Sequence, residues 1–121
     1  MFRYYNANPL GRKVNDCTVR AISLATDTSW DCAFMALSLY AQREAIMPDD
    51  VRYIDGYLRR FEKVHDRYLD REITLNEFLE DHSIGTYLVT MNGHITCCID
   101  GVCYDTFDPS NRYIWDAYKV K

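Results

Sequence analysis

The stretch Asn15-Asp16-Cys17-Thr18-Val19-Arg20-Ala21-Ile22 decides how this chain folds and what chemistry it can carry. It places a thiol at the start of a segment that is apolar on nearly every side from about residue 16 to residue 26, which predicts a central, buried helix. Cysteine reacts as the thiolate, which forms most easily at a helix N-terminus beside a histidine. Gly93-His94 supplies an imidazole from far downstream. We therefore expect Cys17 and His94 to form a nucleophile and base pair.

The overall composition excludes several classes of protein. A chain of 121 residues with 48% hydrophobic and 26% charged residues predicts one soluble domain spanning residues 1–121. A net charge of -4 argues against nucleic-acid binding, which needs a basic face. No apolar run approaches the roughly 20 residues that cross a membrane, and the N-terminus lacks a signal-peptide segment. Five cysteines without framework spacing indicate free thiols. These features predict a cytoplasmic protein with no membrane partner, and they leave its oligomeric state open.

The first 85 residues show mainly helical spacing, after a short strand or extended arm over residues 2–5. Thr28 and Asp31 suit a capping box for a second helix, and Thr74-Leu75-Asn76-Glu77 suits another. Met47-Pro48-Asp49-Asp50 also predicts a helix start, because proline fits the first turn and acids favour the positive helix end. The predicted helices cover about 16–26, 29–43, 47–60 and 74–82, with a short strand within 61–68.

After residue 85 the pattern changes to strands. Asp100-Gly101 is a strong signal for a two-residue hairpin turn, and Asn92-Gly93 marks the turn before it. Helices first and antiparallel strands after them predict an α+β fold, with the N-terminal helices packed on a C-terminal antiparallel sheet. The predicted strands are residues 86–91, 94–99, 102–107 and 112–120.

The register of this hairpin predicts a third member for the site. If Asp100-Gly101 forms the turn, residues whose numbers sum to 201 face each other, and His94 and Asp105 share one face. Asp105 then lies diagonally from His94, about 7–8 Å away between backbones, which leaves room for a carboxylate–imidazole hydrogen bond. Asp108 falls on the opposite face by the same count. It remains an alternative if a bulge shifts the register.

A metal site is a competing interpretation, because His94, Cys97, Cys98 and Cys103 superficially resemble a zinc ligand set. Adjacent residues of a regular strand point to opposite sides, so Cys97 and Cys98 cannot close around one ion. We therefore expect no metal and no cofactor. Two further histidines are expected to be structural: His65 as a solvated residue in a charged segment, and His82 at a helix C-terminus, where a cation complements the dipole.

These residues together resemble the papain-like cysteine peptidase superfamily, and more closely the small C39-peptidase-like proteins of phage and bacterial genomes. The resemblance covers most of the chain except roughly residues 43–72. Its motifs are Tyr4-Tyr5-Asn6-Ala7-Asn8-Pro9, Asp16-Cys17-Thr18-Val19-Arg20-Ala21-Ile22, Thr74-Leu75-Asn76-Glu77-Phe78, Gly85-Thr86-Tyr87, Gly93-His94 and Asp100-Gly101-Val102-Cys103-Tyr104-Asp105-Thr106.

The resemblance implies a papain-like core and a thiol peptidase or amidase acting on a peptide or protein. Its catalytic residues would be Cys17 as nucleophile, His94 as base and Asp105 as the orienting acid. Such enzymes also need an oxyanion donor. Many relatives carry a glutamine several residues before the cysteine, where this chain has Gly11, so Asn15 is the nearby amide expected to serve.

Two other functions fit the same residues. The domain could be catalytically silent and bind a host protein, as the missing glutamine and the small size suggest. It could also be an acyltransferase or transglutaminase-like enzyme that uses the same triad. Asp16 affects whether the thiol is reactive, because a carboxylate beside it opposes thiolate formation. This effect is removed if Asp16 caps the helix or pairs with Arg12, Lys13 or Arg20.

Overall fold

The computed structural model describes all 121 residues as an α+β fold in which four helices pack on one six-stranded sheet. The predicted class is therefore confirmed. No helix is both long enough and apolar enough to cross a membrane. The helices are α1 (Cys17–Thr26), α2 (Trp30–Glu44), α3 (Asp55–Leu58) and α4 (Leu75–Asp81). The strands are β1 (Phe2–Tyr4), β2 (Glu62–His65), β3 (Thr86–Met91), β4 (His94–Ile99), β5 (Val102–Asp105) and β6 (Ile114–Lys119).

The sheet is mixed, which corrects the expected C-terminal antiparallel sheet. Its strand order is β1-β5-β4-β3-β6-β2, so the two strands that come first in the chain, β1 and β2, occupy the two edges. β1 pairs in parallel with β5, and the Tyr5 N–H continues that ladder by donating to the Asp105 carbonyl at 2.8 Å. The four C-terminal strands are antiparallel to one another as predicted. The arm joins them because the free edge of β5 offers unpaired backbone groups.

Helix α1 is the central buried helix that its sequence predicts. Seven of its ten residues are buried, and it packs on β3 and β4 in one core cluster with Leu37, Leu58 and Leu88. It ends at Asp27, whose left-handed backbone (φ 55°) closes the last turn. A second core cluster contains Phe78 of α4 together with residues of β3, β4, β5 and β6. α1 is therefore held rigidly against the strand that carries His94.

Two predicted helix starts are wrong in detail. Ser29, rather than Thr28, caps α2: its backbone is extended and its hydroxyl accepts from the Cys32 N–H at 3.1 Å, whereas the Thr28 hydroxyl contacts Thr26. The long helix expected over 47–60 is a single 3₁₀ turn (Val51–Tyr53) followed by the four residues of α3. Gly56 disfavours a continuous helix there.

The remaining local signals are confirmed. The capping box at Thr74 is present in both directions, with Thr74 and Glu77 each bonding the other's backbone N–H. In the hairpin, Asp100 and Gly101 have φ of 49° and 79°, the left-handed pair that a tight turn requires. The ladder pairs Cys98 with Cys103 and Ile99 with Val102, which is the predicted register.

Replacing Gly101 by valine should lower the free energy of unfolding by about 1–2 kcal/mol, because a branched side chain is strained at a left-handed backbone position. Gly101→Asn is the matched control, since asparagine tolerates this conformation and should cost clearly less. Urea denaturation measures both variants. Equal losses for valine and asparagine would show that the turn does not depend on its left-handed backbone.

Candidate active site

The nucleophile candidate Cys17 is the first residue of α1. Asp16 occupies the N-cap position, yet its side chain makes no capping hydrogen bond, so it leaves the backbone N–H groups of the first turn free of its carboxylate. The positive end of the helix dipole falls on this turn and favours negative charge. Cys17 itself is 4% exposed, so only an edge of the residue meets solvent.

His94 and Asp105 form a short, buried hydrogen bond across the hairpin. The His94 Nε2 lies 2.6 Å from the Asp105 Oδ2. An ionised carboxylate only accepts hydrogen bonds, so Nε2 carries the proton and donates it. The other Asp105 oxygen, Oδ1, accepts the Thr106 N–H at 2.7 Å and an Arg20 N–H at 3.3 Å. Asp105 therefore holds the imidazole in one orientation and is itself held from two sides.

The structure also brings Cys17 to this pair. Burial by itself would lower the pKa of His94, but hydrogen bonds and charge from Asp105 and from Cys17 outweigh burial and raise this pKa to about 9. Since Nε2 is bonded to Asp105, Nδ1 is the ring nitrogen left for the thiol. Cys17, His94 and Asp105 thus lie together in the order thiol, imidazole, carboxylate.

The charge of Asp105 is stabilised in the same way. Burial opposes its ionisation, but the hydrogen bond and charge of His94, with hydrogen bonds from Thr96 and the Thr106 backbone, lower its pKa. Both partners of the His94–Asp105 bond are therefore shifted toward their charged forms.

Cys17 and Asp105 also line a small cavity of about 10 Å³, roughly the space one water needs, together with Tyr5 of the N-terminal arm.

Arg20 is a site residue that sequence reasoning did not assign to the triad. Its Nε donates to Asp16 at 2.7 Å, and another guanidinium nitrogen donates to Asp105 at 3.3 Å. The contact between Asp16 and Arg20 is predictable from the sequence, because residues four apart on a helix are neighbours. The second contact spans 85 residues, and no local pattern shows it. Arg20 compensates both carboxylates, so Asp16 does not face the thiol as an unpaired charge.

Asp16 has two further partners that fix its place. The Trp30 indole N–H donates to its Oδ2 at 3.0 Å, and an Asn8 amide nitrogen lies 3.2 Å from the same oxygen. The expected alternative between helix capping and ion pairing is resolved in favour of pairing with Arg20. Asp16 therefore joins the start of α1 to α2 and to the segment that follows β1.

Two other predicted residues lie apart from the triad contacts. The exposed Asn15 donates its amide N–H to Asp49 at 2.9 Å, and its role as an oxyanion donor stays a prediction. Asp108 accepts the Ser110 N–H at 3.0 Å and closes a turn. Asp105, not Asp108, is the acid bonded to His94.

The other histidines are structural, with one correction. His65 is not solvated: it is buried, with its two ring nitrogens 3.3 and 3.1 Å from the carbonyls of Trp115 and Arg71. The pairing of β2 with β6 brings the Trp115 carbonyl to His65, whereas Arg71 lies in the segment between β2 and α4; the charged local sequence of His65 reveals neither contact. His82 is the C-cap of α4, as expected, with Nδ1 3.0 Å from the Phe78 carbonyl.

The cysteines other than Cys17 form no metal centre. All five thiols are free, and no group of three or more His, Cys, Asp or Glu side chains is placed to hold an ion. Cys98 and Cys103 face each other across the hairpin as the register predicts. Cys32 lies exposed on α2, whereas Cys97, Cys98 and Cys103 are buried.

Comparison of the chain with protein-family models, with curated proteins and with solved structures gave no significant match. The geometry of Cys17, His94 and Asp105 is therefore what supports a function for this chain.

Replacing Arg20 by glutamine should lower the free energy of unfolding by about 3 kcal/mol, because it leaves the buried Asp16 without its cation and leaves Asp105 with His94 alone. The matched control is Arg52→Gln. Arg52 pairs with Asp50 on the surface, and its loss should leave the free energy of unfolding unchanged. Chemical denaturation at neutral pH measures both variants. Equal effects would show that Arg20 does not compensate the buried carboxylates.

The raised pKa of His94 predicts a pH-dependent stability. A histidine whose folded pKa is about 9 rather than 6.5 contributes stability that is fully present below pH 6.5 and is lost as the pH rises through 9. The free energy of unfolding should therefore fall between pH 6.5 and 9 in the wild type, more steeply than in His94→Gln. Denaturation curves across this range measure the difference. Parallel pH profiles would contradict the raised pKa.

Proposed function

We propose that this protein is a cysteine-dependent hydrolase of the papain-like type, a peptidase or amidase that works through a thioester intermediate. The observation that carries the proposal is the 2.6 Å bond between His94 and Asp105, at a place where Cys17, the first residue of α1, is near enough to contribute to the raised pKa of His94. A nucleophile, a base and a group that orients the base are the minimum that such catalysis requires.

In the proposed mechanism the reactive state is a thiolate beside an imidazolium. His94 holds the proton taken from Cys17, and its raised pKa, about 9, favours that charged form at neutral pH. The thiolate sulfur attacks the carbonyl carbon of an amide or ester, and the electron pair of the C=O bond moves to oxygen. The backbone N–H of Cys17 is a donor available to that oxyanion.

The collapse of this tetrahedral intermediate expels the leaving amine or alcohol, which takes the proton from His94 and leaves a Cys17 thioester. His94 then accepts a proton from water, and the hydroxide oxygen attacks the thioester carbonyl. The second tetrahedral intermediate then collapses, the bond between its carbon and the Cys17 sulfur breaks, and the acid product leaves. The proton taken from water stays on His94, so the thiolate–imidazolium pair is regenerated. Asp105 stays ionised throughout and stabilises the imidazolium.

Arg20 supports this charge distribution. It neutralises Asp16, the carboxylate next to the nucleophile in sequence, and it holds the Asp105 oxygen that does not contact His94. The negative charge on the sulfur is then opposed by no unpaired carboxylate at the helix start, and it is favoured by the helix dipole and by His94.

A catalytically silent domain that binds a host protein is the second candidate. The observation in its favour is the burial of Cys17, of which only 4% is exposed. An acyltransferase with the same triad would share every step up to the thioester and then use an amine in place of water.

Selective alkylation tests whether Cys17 is activated, and Cys32 provides an internal reference. Iodoacetamide at pH 6 should modify Cys17 at least about tenfold faster than the exposed Cys32, because an ordinary thiol is almost fully protonated at that pH. His94→Gln should abolish this preference, and Asp105→Asn should reduce it. Peptide mapping by mass spectrometry measures each site. A wild type in which Cys32 reacts first would favour the silent domain.

Turnover is tested by comparing the wild type with Cys17→Ser on a mixed set of peptides, isopeptides and esters. The wild type should release acid product and show an acyl adduct on Cys17 by intact mass, whereas Cys17→Ser should lose at least about a thousandfold in rate. Amine-exchanged product in place of acid would identify an acyltransferase. Absence of both products together with an unreactive Cys17 would rule out an enzyme.

A further inference from the structure

Cys98 and Cys103 lie directly opposite each other in the hairpin of β4 and β5, as the second pair in from the turn. We propose that they are a redox-active pair, which a hydroperoxide converts into a disulfide across the hairpin. The proposal goes beyond the hydrolase function and does not rest on it, because Cys17 takes no part in the reaction.

The backbone places the two thiols at the spacing of a disulfide. The Cys103 N–H donates away from β4, to the Met1 carbonyl at 2.9 Å, so Cys98 and Cys103 form a non-hydrogen-bonded pair of the ladder. In such pairs the Cα atoms are about 4.5 Å apart, and both side chains lie on one face, here in the core cluster of α4. A disulfide spans Cα distances of about 4.4–6.8 Å. The sulfurs can therefore bond without a change of register.

The surroundings distinguish the two sulfurs. The Thr96 hydroxyl lies 3.2 Å from the Cys103 sulfur. The hydrogen bond from Cys98, with one from Thr96, outweighs burial and lowers the pKa of Cys103. The same hydrogen bond to Cys103, together with burial, raises the pKa of Cys98. Since cysteine is oxidised as the thiolate, Cys103 reacts first and Cys98 second.

The neighbouring Cys97 shows how a buried cysteine without a partner differs. Its partner across the ladder is Tyr104, and it belongs to the core cluster of α1 on the other face of the sheet. Burial raises the pKa of Cys97 to about 12. Cys97 therefore packs as a small apolar side chain, as buried cysteines usually do. Cys98 and Cys103 differ from it because each has a thiol directly opposite.

The burial of the pair determines the kind of oxidant. Both residues are 0% exposed, which excludes a bulky oxidant and favours one close to water in size, such as hydrogen peroxide. The pair lies near the end of a short hairpin, since β5 has four residues and the three residues of β1 cover its outer edge. Local opening is easiest at such a margin of a sheet, and it admits a small molecule.

The oxidation balances with one molecule of hydrogen peroxide. The Cys103 thiolate attacks one peroxide oxygen, the O–O bond breaks, and the leaving hydroxide takes up the proton that Cys103 had lost. The Cys103 sulfur is then a sulfenic acid. The Cys98 sulfur attacks it, the S–O bond breaks, and the departing hydroxide takes the Cys98 proton. Two thiols and one peroxide thus give one disulfide and two waters, and two electrons pass from sulfur to oxygen.

Peptide mapping after oxidation tests the pair. Wild-type protein is treated with hydrogen peroxide at neutral pH, its remaining thiols are blocked with N-ethylmaleimide in urea, and the chain is cleaved before its aspartates. Cleavage before Asp100 separates Cys98 from Cys103, so a disulfide between them holds two peptides together. This linked product should form at least about tenfold faster than any disulfide of Cys97, because the paired thiols are already in place. Dithiothreitol should return both thiols.

Three substitutions provide the controls. Cys98→Ala should abolish the linked product, whereas Cys97→Ala, which removes the adjacent buried thiol, should preserve it. Thr96→Val keeps the shape of the side chain and removes its hydroxyl, so it should slow the oxidation about threefold. The wild type alone shows whether the link forms, so the proposal is decided even where a substitution prevents folding.

Several results would overturn the proposal. It is wrong if both thiols are intact once the exposed Cys32 is fully oxidised, or if the linked product persists in Cys98→Ala. It is also wrong if the link forms only when peroxide is added in urea, if it joins two copies of the chain, or if Cys103 ends as a sulfinic acid that dithiothreitol does not reduce. None of these results alters the expected reactivity of Cys17, which its alkylation measures separately.

Discussion

The site depends on the guanidinium of one partly buried arginine, Arg20. Arg20 lies between Asp16 at the start of α1 and Asp105 at the end of β5, and it donates to both carboxylates. Two buried acids so close to a cysteine would be costly without a cation, and each would raise the energy of a thiolate. By compensating them, Arg20 links α1 to β5, the strand that ends with Asp105. The position of His94 is fixed as well, because His94 is hydrogen-bonded to the same Asp105.

The three groups of the proposed triad come from separate helices and strands, and each of these elements fixes the position of one group. α1 is held in the larger core cluster, so the position of Cys17 is set by packing. His94 begins β4 and Asp105 ends β5, so their distance is set by the hairpin ladder. Rigid elements of this kind place reactive groups more accurately than loops do.

Much of this arrangement is predictable from local sequence, since the deciding signals are short. The Asp100-Gly101 turn determines the register that places Asp105 by His94, and the apolar run after Asp16 determines α1. Contacts between distant segments are not visible in this way. The parallel pairing of β1 with β5, the Arg20–Asp105 bond and the burial of His65 all depend on tertiary packing, in which local propensity has no part. The segment over residues 47–60 differs from the single helix predicted there, because Gly56 interrupts weak helical signals.

The proposed function requires that His94 carry its proton at neutral pH, a state that Asp105 and Cys17 both favour. Nuclear magnetic resonance of the His94 ring nitrogens across a pH titration tests it most directly. The geometry predicts a pKa of about 9, with Nε2 protonated and hydrogen-bonded to Asp105 over the whole neutral range. A His94 that titrates near the ordinary value of 6.5, with no change on replacing Asp105 by asparagine, would contradict it.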